Sequence, residues 1–222
     1  MNTDTLVDKK YVEAALSEIN RCNILEKHLL FSNIDEYDPK TLGNILIPFY
    51  YAVKYWTQHL EMFSNCLINS NDNTSADLVK ENIDDESGNI NGKIIYSKKH
   101  IITYINFLLA LNYNTTLRKS PAVDKFIDSL KNILETKPFS YNAAVLGGIE
   151  HFYIQISTTF KTYCDKNNIR QEHYNVHEIL DQKHAMDFFM VAINQKITRE
   201  QLFSGIHEGY KLLWDVYEEL VS

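Results

Sequence analysis

Two histidines and one aspartate recur at helical spacing late in the chain, at His177, Asp181 and His184. Because an α-helix turns by about 100° per residue, these three side chains project within an arc of about 60°. His173 lies one turn earlier on the same stripe. The apolar neighbours that predict burial of this helix are Ile179, Leu180, Met186, Phe188 and Phe189. Buried polar side chains cost free energy unless they are paired or bind a metal, and imidazoles and carboxylates inside a helical bundle are typical ligands of iron or manganese.

Other parts of the chain offer residues that could complete a metal site. Glu150 follows residues 143–149, which carry no other charge, so its carboxylate must be paired, protonated or bound to a metal. Glu86 stands at a predicted helix break, and His100 opens the next apolar helix. We expect His173 to orient a ligand or to hold a water molecule. The six candidate metal ligands are therefore Glu86, His100, Glu150, His177, Asp181 and His184.

The first carboxylate ligand has two competitors, because Asp84 and Asp85 precede Glu86 directly. His100 lies fourteen positions after Glu86, and an unbroken helix would place the two about 21 Å apart. The two side chains can share a site only if the segment between Gly88 and Gly92 folds back.

The composition narrows the class of protein. Among 222 residues there are only 7 Gly and 4 Pro, which favours helices over a turn-rich β fold, and the hydrophobic share of 45% is that of a soluble globular protein. The net charge is −7, with no cluster of Lys and Arg among aromatic residues, so we expect no nucleic-acid partner. The longest apolar run, residues 101–111, is too short and too polar to span a membrane.

Three widely spaced cysteines without a CxxC pair argue against a disulfide framework and against a thiolate zinc site. Residues 1–5 are polar and acidic, unlike a secretory signal. Both observations favour a cytoplasmic location.

Apolar residues at helical spacing, together with Pro and Ser/Thr at helix starts, predict an all-α chain. We find no internal repeat and no linker, so residues 1–222 are predicted to form a single domain. The predicted helices cover residues 8–32, 39 or 48 to 66, 76–86, 95–111, 121–136, 138–165, 170–195 and 198–221.

The order of these motifs resembles a known family. Asn82-Ile-Asp-Asp-Glu86-Ser-Gly88 is followed by His100, then by the isolated Glu150, and then by His177-x3-Asp181-x2-His184. This pattern is similar to the heme-oxygenase-like diiron oxidases, which include relatives of the chlamydial protein associating with death domains. Ferritin-like proteins instead carry Glu-x-x-His pairs, and this chain has none.

The resemblance implies a single-domain, seven- to eight-helix heme-oxygenase-like bundle in which the six candidate residues bind two irons, with manganese as the other suitable metal. It also implies a non-heme diiron oxidase that uses O2 on a small amine or amino acid, by N-oxygenation or oxidative C–C or C–N cleavage. The expected partners are O2 and this substrate, and a homodimer is the assembly to consider.

Two other interpretations stay open at this point. The chain could be a helical protein-interaction module with a vestigial metal site. It could also be a cofactorless or heme-binding member of the same superfamily, with His28 of the first predicted helix as the heme ligand.

Overall fold

The computed structural model describes residues 7–22, 25–111 and 117–222, which form ten α-helices and one short β-hairpin. The helices are α1 (Lys9–Cys22), α2 (Leu29–Ser32), α3 (Pro39–Leu46), α4 (Tyr50–Asn69), α5 (Asn73–Glu86), α6 (His100–Ala110), α7 (Pro121–Thr136), α8 (Phe139–Lys166), α9 (His173–Asn194) and α10 (Arg199–Val221). The antiparallel strands β1 (Asn89–Ile90) and β2 (Lys93–Ile94) lie between α5 and α6.

Eight of the described helices have eleven or more residues, which confirms the predicted all-α bundle of seven to eight helices. The 28-residue α8 is the central element, and it packs along both α9 and α10. None of the described helices is long and apolar enough to cross a membrane. The single-domain organisation and the homodimer stay predictions. Residues 1–5 lie outside the described residues, which begin at residue 7.

Several helices start where the sequence predicted, because side chains satisfy their free N–H groups. The Ser120 hydroxyl accepts from the N–H of Ala122 at the start of α7, and Thr198 forms a capping box with Gln201 at the start of α10. The predicted start of the third helix at residue 76 was wrong by three residues. Asp72 is the cap there, and its carboxylate accepts from the N–H of Ser75.

The first predicted helix, residues 8–32, was wrong as one element. Helix α1 ends at Cys22, a 3-10 turn covers Leu25–Lys27, and α2 begins only after His28. His28 has an extended backbone (φ −80°, ψ 136°), so the helix cannot run through it, and its Nδ1 accepts from the N–H of Leu30. Its Nε2 lies 3.0 Å from the carbonyl of Trp214. Both ring nitrogens are engaged, which disfavours His28 as a heme ligand.

The two starts considered for the second helix belong to two separate elements. Asp38 caps α3 just before Pro39, and Pro48 lies in a 3-10 turn before α4. Proline at these positions has no N–H to contribute to a helix interior, so the chain is free to change direction there.

The segment between Gly88 and Gly92 does fold back. Both glycines have left-handed backbone angles (φ 66° and 77°), and the N–H of Ile95 donates to the carbonyl of Gly88 over 2.8 Å. A Cβ on Gly88 would lie 2.7 Å from the carbonyl oxygen of Ile95, so glycine is required for the close return of the chain. The hairpin thereby brings the end of α5 next to the start of α6.

Glycines also let α8 and α10 approach closely. A Cβ on Gly209 would lie 2.3 Å from the carbonyl oxygen of Val145, and one on Gly148 would lie 2.6 Å from that of Ile206. This contact fixes the stretch of α8 that ends in Glu150.

Candidate metal centre

The six predicted ligands come from four helices and meet in the interior. Glu86 ends α5, His100 begins α6, Glu150 lies in the middle of α8, and α9 contributes the remaining three. None of the six is more than 9% exposed to solvent. Potential ligand atoms of Glu86, Glu150 and His184 lie within 4.8 Å of one another, and so do those of His100, His177 and His173.

Glu86 and His100 face each other across the hairpin. The Oε2 atom of Glu86 contacts Nδ1 of His100. Neither atom makes a hydrogen bond. Burial raises the pKa of the Glu86 carboxyl, against the opposing effect of His177 and His184. Burial also holds the pKa of His100 well below its usual value, so the imidazole is neutral and can bind a metal.

The helical stripe of α9 is arranged as its spacing predicted. Nδ1 of His177 lies 2.8 Å from Oδ1 of Asp181, one turn further on. The other carboxylate oxygen of Asp181 is buried without a partner. Burial keeps the pKa of Asp181 well above its usual value and lowers that of His177.

The three adjacent acidic residues at the end of α5 have different surroundings. Glu86 points into the cluster, Asp85 lies outside it with Oδ2 3.1 Å from Nε2 of His184, and Asp84 accepts from the amide of Asn89. Nδ1 of His184 is buried without a partner. The geometry therefore favours Glu86 over Asp84 and Asp85 as the first carboxylate ligand. It gives Asp85 the role of orienting His184, which sequence reasoning missed.

The surroundings of His184 raise its pKa. Burial alone would lower it, but the hydrogen bond with Asp85 and the carboxylates of Glu150, Asp181 and Glu86 outweigh burial and raise the pKa to about 9. A metal that binds Nδ1 must therefore displace a proton.

Glu150 is buried among the other candidate ligands, with a carboxylate oxygen within 4.8 Å of ligand atoms of Glu86 and His184. Burial raises its pKa well above the usual value, and the nearby Asp181 adds to the shift, while Trp56 supplies a hydrogen bond that opposes it. Its Oε1 atom has no partner. Among the described residues no Lys or Arg is buried, so no permanent cation of the protein neutralises this carboxyl.

The chemistry of these residues suits a bound metal ion. An unpaired buried polar atom costs about 1–3 kcal/mol, and such atoms concentrate on five of the six predicted ligands. They are Glu86 Oε2, Nδ1 and Nε2 of His100, Glu150 Oε1, Asp181 Oδ2 and His184 Nδ1. Three carboxylates and three imidazoles are suitable ligands for iron or manganese, and bound metal would satisfy the unpaired atoms.

His173 supports the cluster from beside it, through two residues that sequence reasoning did not single out. The Thr103 hydroxyl donates to the carbonyl of His100 over 2.8 Å, so it can only accept from Nδ1–H of His173, 3.0 Å away. Burial holds the pKa of His173 well below its usual value. Nε2 of the neutral ring therefore accepts from the Tyr153 hydroxyl over 3.2 Å.

With both nitrogens engaged, the His173 ring stacks on His100 (centroids 4.7 Å apart) and contacts His177 (4.6 Å). This matches the predicted supporting role of His173. The spacing held a signal for its partners, because Tyr153 follows Glu150 by three residues and Thr103 follows His100 by three.

A small cavity adjoins the cluster, and Glu86, His100, Glu150 and His177 form part of its wall. The rest of the wall is mainly apolar and includes Phe49, Ala52, Val53, Trp56, Phe126 and Leu213. A more open cleft between the hairpin, α6 and α9 reaches the same cluster from the surface, and it shares Glu86, His100 and His177 with the cavity.

Comparisons with known proteins agree with the fold. No family model and no curated protein matches the chain. Two crystal structures of a CADD-like protein of unknown function from Nostoc punctiforme superpose with TM-scores of 0.70 and 0.62, at 15% and 16% identity. Each covers 95% of this chain, and the chain covers 97% and 94% of theirs. The chain therefore has the helical fold of a CADD-like protein.

Proposed function

We propose that this protein is a non-heme diiron oxidase of the heme-oxygenase-like family, which uses O2 to oxidise a small organic molecule. One observation carries the proposal. Five of the six predicted ligands have a buried oxygen or nitrogen atom without a hydrogen-bond partner, and these residues lie together in the core. Burial of three carboxyl groups without a lysine or arginine beside them costs free energy, and a core with only a structural role gains nothing in return.

Glu86, His100, Glu150, His177, Asp181 and His184 would hold the two metals. Bound Fe(II) would supply the electrons that reduce O2. The protein contributes position and protection from water. Asp85 accepts from Nε2–H of His184 and leaves Nδ1 turned toward the cluster. Tyr153 and Thr103 fix the ring of His173, against which two of the imidazoles pack.

The apolar cavity is the natural place for the substrate and would keep bulk water from the reacting atoms. The sequence motifs resemble those of the diiron oxidases, and the reaction proposed from this resemblance is N-oxygenation or oxidative C–C or C–N cleavage of an amine-type substrate. The partners proposed are O2 and this small molecule.

Oxygen uptake tests the proposal directly. The protein would be loaded with Fe(II) under anaerobic conditions, freed of unbound metal and mixed with O2 in an oxygen-electrode cell. We expect uptake of about one O2 for each pair of irons. The His177→Ala variant should take up less than a tenth of that amount, and His207→Ala, at an exposed position on α10, should match the wild type. Equal uptake by the two variants would reject the proposal. A wild-type chain that neither holds iron nor takes up O2 would instead favour the interaction-module interpretation.

A further inference from the structure

We infer that His173 is itself a ligand of the metal centre, and that with His100 and His177 it forms a site of three imidazoles. The inference rests on the proposed function, because it concerns the same cluster. It goes beyond that proposal, in which His173 only supports the other rings. The six ligands implied by the resemblance to the diiron oxidases do not include His173.

The ring of His173 lies as close to the cluster as the rings of two predicted ligands. One ring nitrogen from each of His100, His173 and His177 lies within 4.8 Å of the other two. The ring centroids are 4.2 Å apart for His100 and His177, 4.7 Å for His100 and His173, and 4.6 Å for His173 and His177. His173 is fully buried, as the predicted ligands are. One metal ion could therefore take a nitrogen from each of the three rings.

The hydrogen bonds of His173 leave one nitrogen suitable for a metal. Thr103 accepts from Nδ1–H of His173, which leaves the lone pair on Nε2. His177 is held in the same way, since its Nδ1 lies 2.8 Å from Oδ1 of Asp181. Histidines that bind metals almost always donate their other N–H to an oxygen acceptor. The two rings thus share the arrangement of metal-binding imidazoles.

A metal on Nε2 of His173 would replace a single hydrogen bond, which Tyr153 donates over 3.2 Å. The Tyr153 hydroxyl has other acceptors, because the hydroxyls of Tyr174 and Tyr217 are buried without a partner. Burial raises the pKa of Tyr153 and that of Tyr174, and the nearby Tyr217 and Tyr153, respectively, add to these shifts. Tyr153 can therefore turn from His173 to another hydroxyl when a metal binds.

The two metal positions would then differ in the type of ligand. The second group of close ligand atoms comes from Glu86, Glu150 and His184, two carboxylates and one imidazole. Imidazole suits zinc and copper, whereas carboxylates suit manganese. We therefore expect the first equivalent of Zn(II) to bind at the three imidazoles.

A zinc titration of the full chain with ¹⁵N-labelled histidine tests this inference. Long-range ¹H–¹⁵N NMR spectra follow the ring nitrogens, and single His→Gln variants assign them. We expect Nε2 of His173 to shift with the first equivalent of Zn(II), together with a ring nitrogen of His100 and of His177. His59, a buried histidine of α4, is the control and should keep its positions.

The inference is overturned if Nε2 of His173 keeps its position while the rings of His100, His177 and His184 shift. That result would leave the proposed metal centre intact. If none of these rings shifts in excess Zn(II), the proposed function fails together with the inference.

Zinc affinity gives a second readout. His173→Gln should weaken the binding of the first Zn(II) at least about 100-fold, because one of three imidazole ligands is lost. His59→Gln also removes a buried histidine and should change the affinity by less than about threefold. Competition with a chelator measures both affinities, and equal values in the two variants would overturn the inference. If His173→Gln does not fold, as judged by circular dichroism, the labelled wild type decides alone.

Discussion

Asp84, Asp85 and Glu86 are adjacent acidic residues with three different surroundings. Glu86 lies among the candidate ligands, Asp85 accepts from His184, and Asp84 accepts from Asn89. A carboxylate that orients a metal-binding histidine typically changes metal affinity by 10- to 100-fold. We therefore expect these three neighbouring carboxylates, although equal in charge, to affect metal binding to different extents.

Asp85→Asn should accordingly weaken Mn(II) binding by about 10- to 100-fold, because an amide is a poorer acceptor for Nε2–H of His184. Asp84→Asn is the matched control and should change the affinity by less than about threefold. Competition with a fluorescent chelator measures both affinities. Equal weakening in the two variants would show a general effect of charge, and Asp85 would then not be an orienting residue.

Glu150→Gln should have opposite effects on the metal-free and metal-loaded proteins. The raised pKa of Glu150 means that the folded chain binds a proton there more tightly than the unfolded chain does, so stability falls as the pH rises above the ordinary pKa of a glutamate. The amide removes this cost, so the metal-free variant should gain about 1–3 kcal/mol. The same variant should lose most of the stabilisation that Mn(II) gives the wild type. Urea unfolding with and without Mn(II) measures both effects, and a metal-free variant less stable than the wild type would contradict them.

The sequence was sufficient to predict the six candidate ligands. Helical spacing places three of them on one face of α9, and Glu150 stands out because the residues before it carry no charge. It was not sufficient for Asp85, Thr103 or Tyr153. Their contacts depend on how α5, α6 and α8 pack around α9, and a pattern within one helix carries no such information.

At the scale of the element, the hairpin between α5 and α6 decides whether the site can form. It brings Glu86 and His100 together although they are fourteen positions apart in sequence. The glycines at the break made the fold-back predictable, but the strands β1 and β2 were not predicted, since two residues each are too few to show an alternating pattern.

Two glycines of the hairpin form a matched pair for testing its role. Alanine at either position must adopt a left-handed backbone, at a cost of about 1 kcal/mol. Only at Gly88 would the new Cβ also meet backbone atoms, at 2.7 Å and 2.9 Å, whereas Gly92 faces open space. Gly88→Ala should therefore cost at least about 2 kcal/mol and weaken Mn(II) binding tenfold or more. Gly92→Ala should cost about 1 kcal/mol and keep the affinity. Urea unfolding and metal titration measure these effects, and equal affinities in the two variants would contradict the role of the hairpin.

The predicted helix ends were correct where a capping residue or a proline marks them. They were wrong where a contact with a distant part of the chain ends the helix. The break at His28 is the clearest case. The apolar residues of the range 8–32 recur at the spacing of a single helix. The backbone at His28 is extended instead, and the ring of His28 faces the carbonyl of Trp214 on α10. The partner is 186 residues away, so no local pattern could indicate it.

At the scale of the whole molecule, buried histidines away from the metal centre affect the pH dependence of stability. His59 of α4 is buried with Nδ1 unpaired, and burial, with a smaller effect of Lys131, lowers its pKa to about 4. In the unfolded chain the pKa is about 6.5. The unfolded state therefore binds the proton first, and stability falls as the pH drops from about 6.5 to 4, by up to about 3 kcal/mol.

His59→Gln should remove this part of the pH dependence, because glutamine does not titrate. The exposed His207→Gln should keep the slope of the wild type. Free energies of unfolding from urea titrations at pH 7, 6 and 5 measure the slope. A His59→Gln slope equal to that of the wild type would contradict the assignment.

The number of metal ions per chain is the most direct test of the proposed diiron site. The protein would be incubated anaerobically with excess Fe(II), separated from unbound metal, and assayed for iron and for protein by elemental analysis. We expect two irons per chain for the wild type and for His207→Ala, and fewer than one for His177→Ala. Less than one iron per wild-type chain, with no difference between the two histidine variants, would contradict the proposed site.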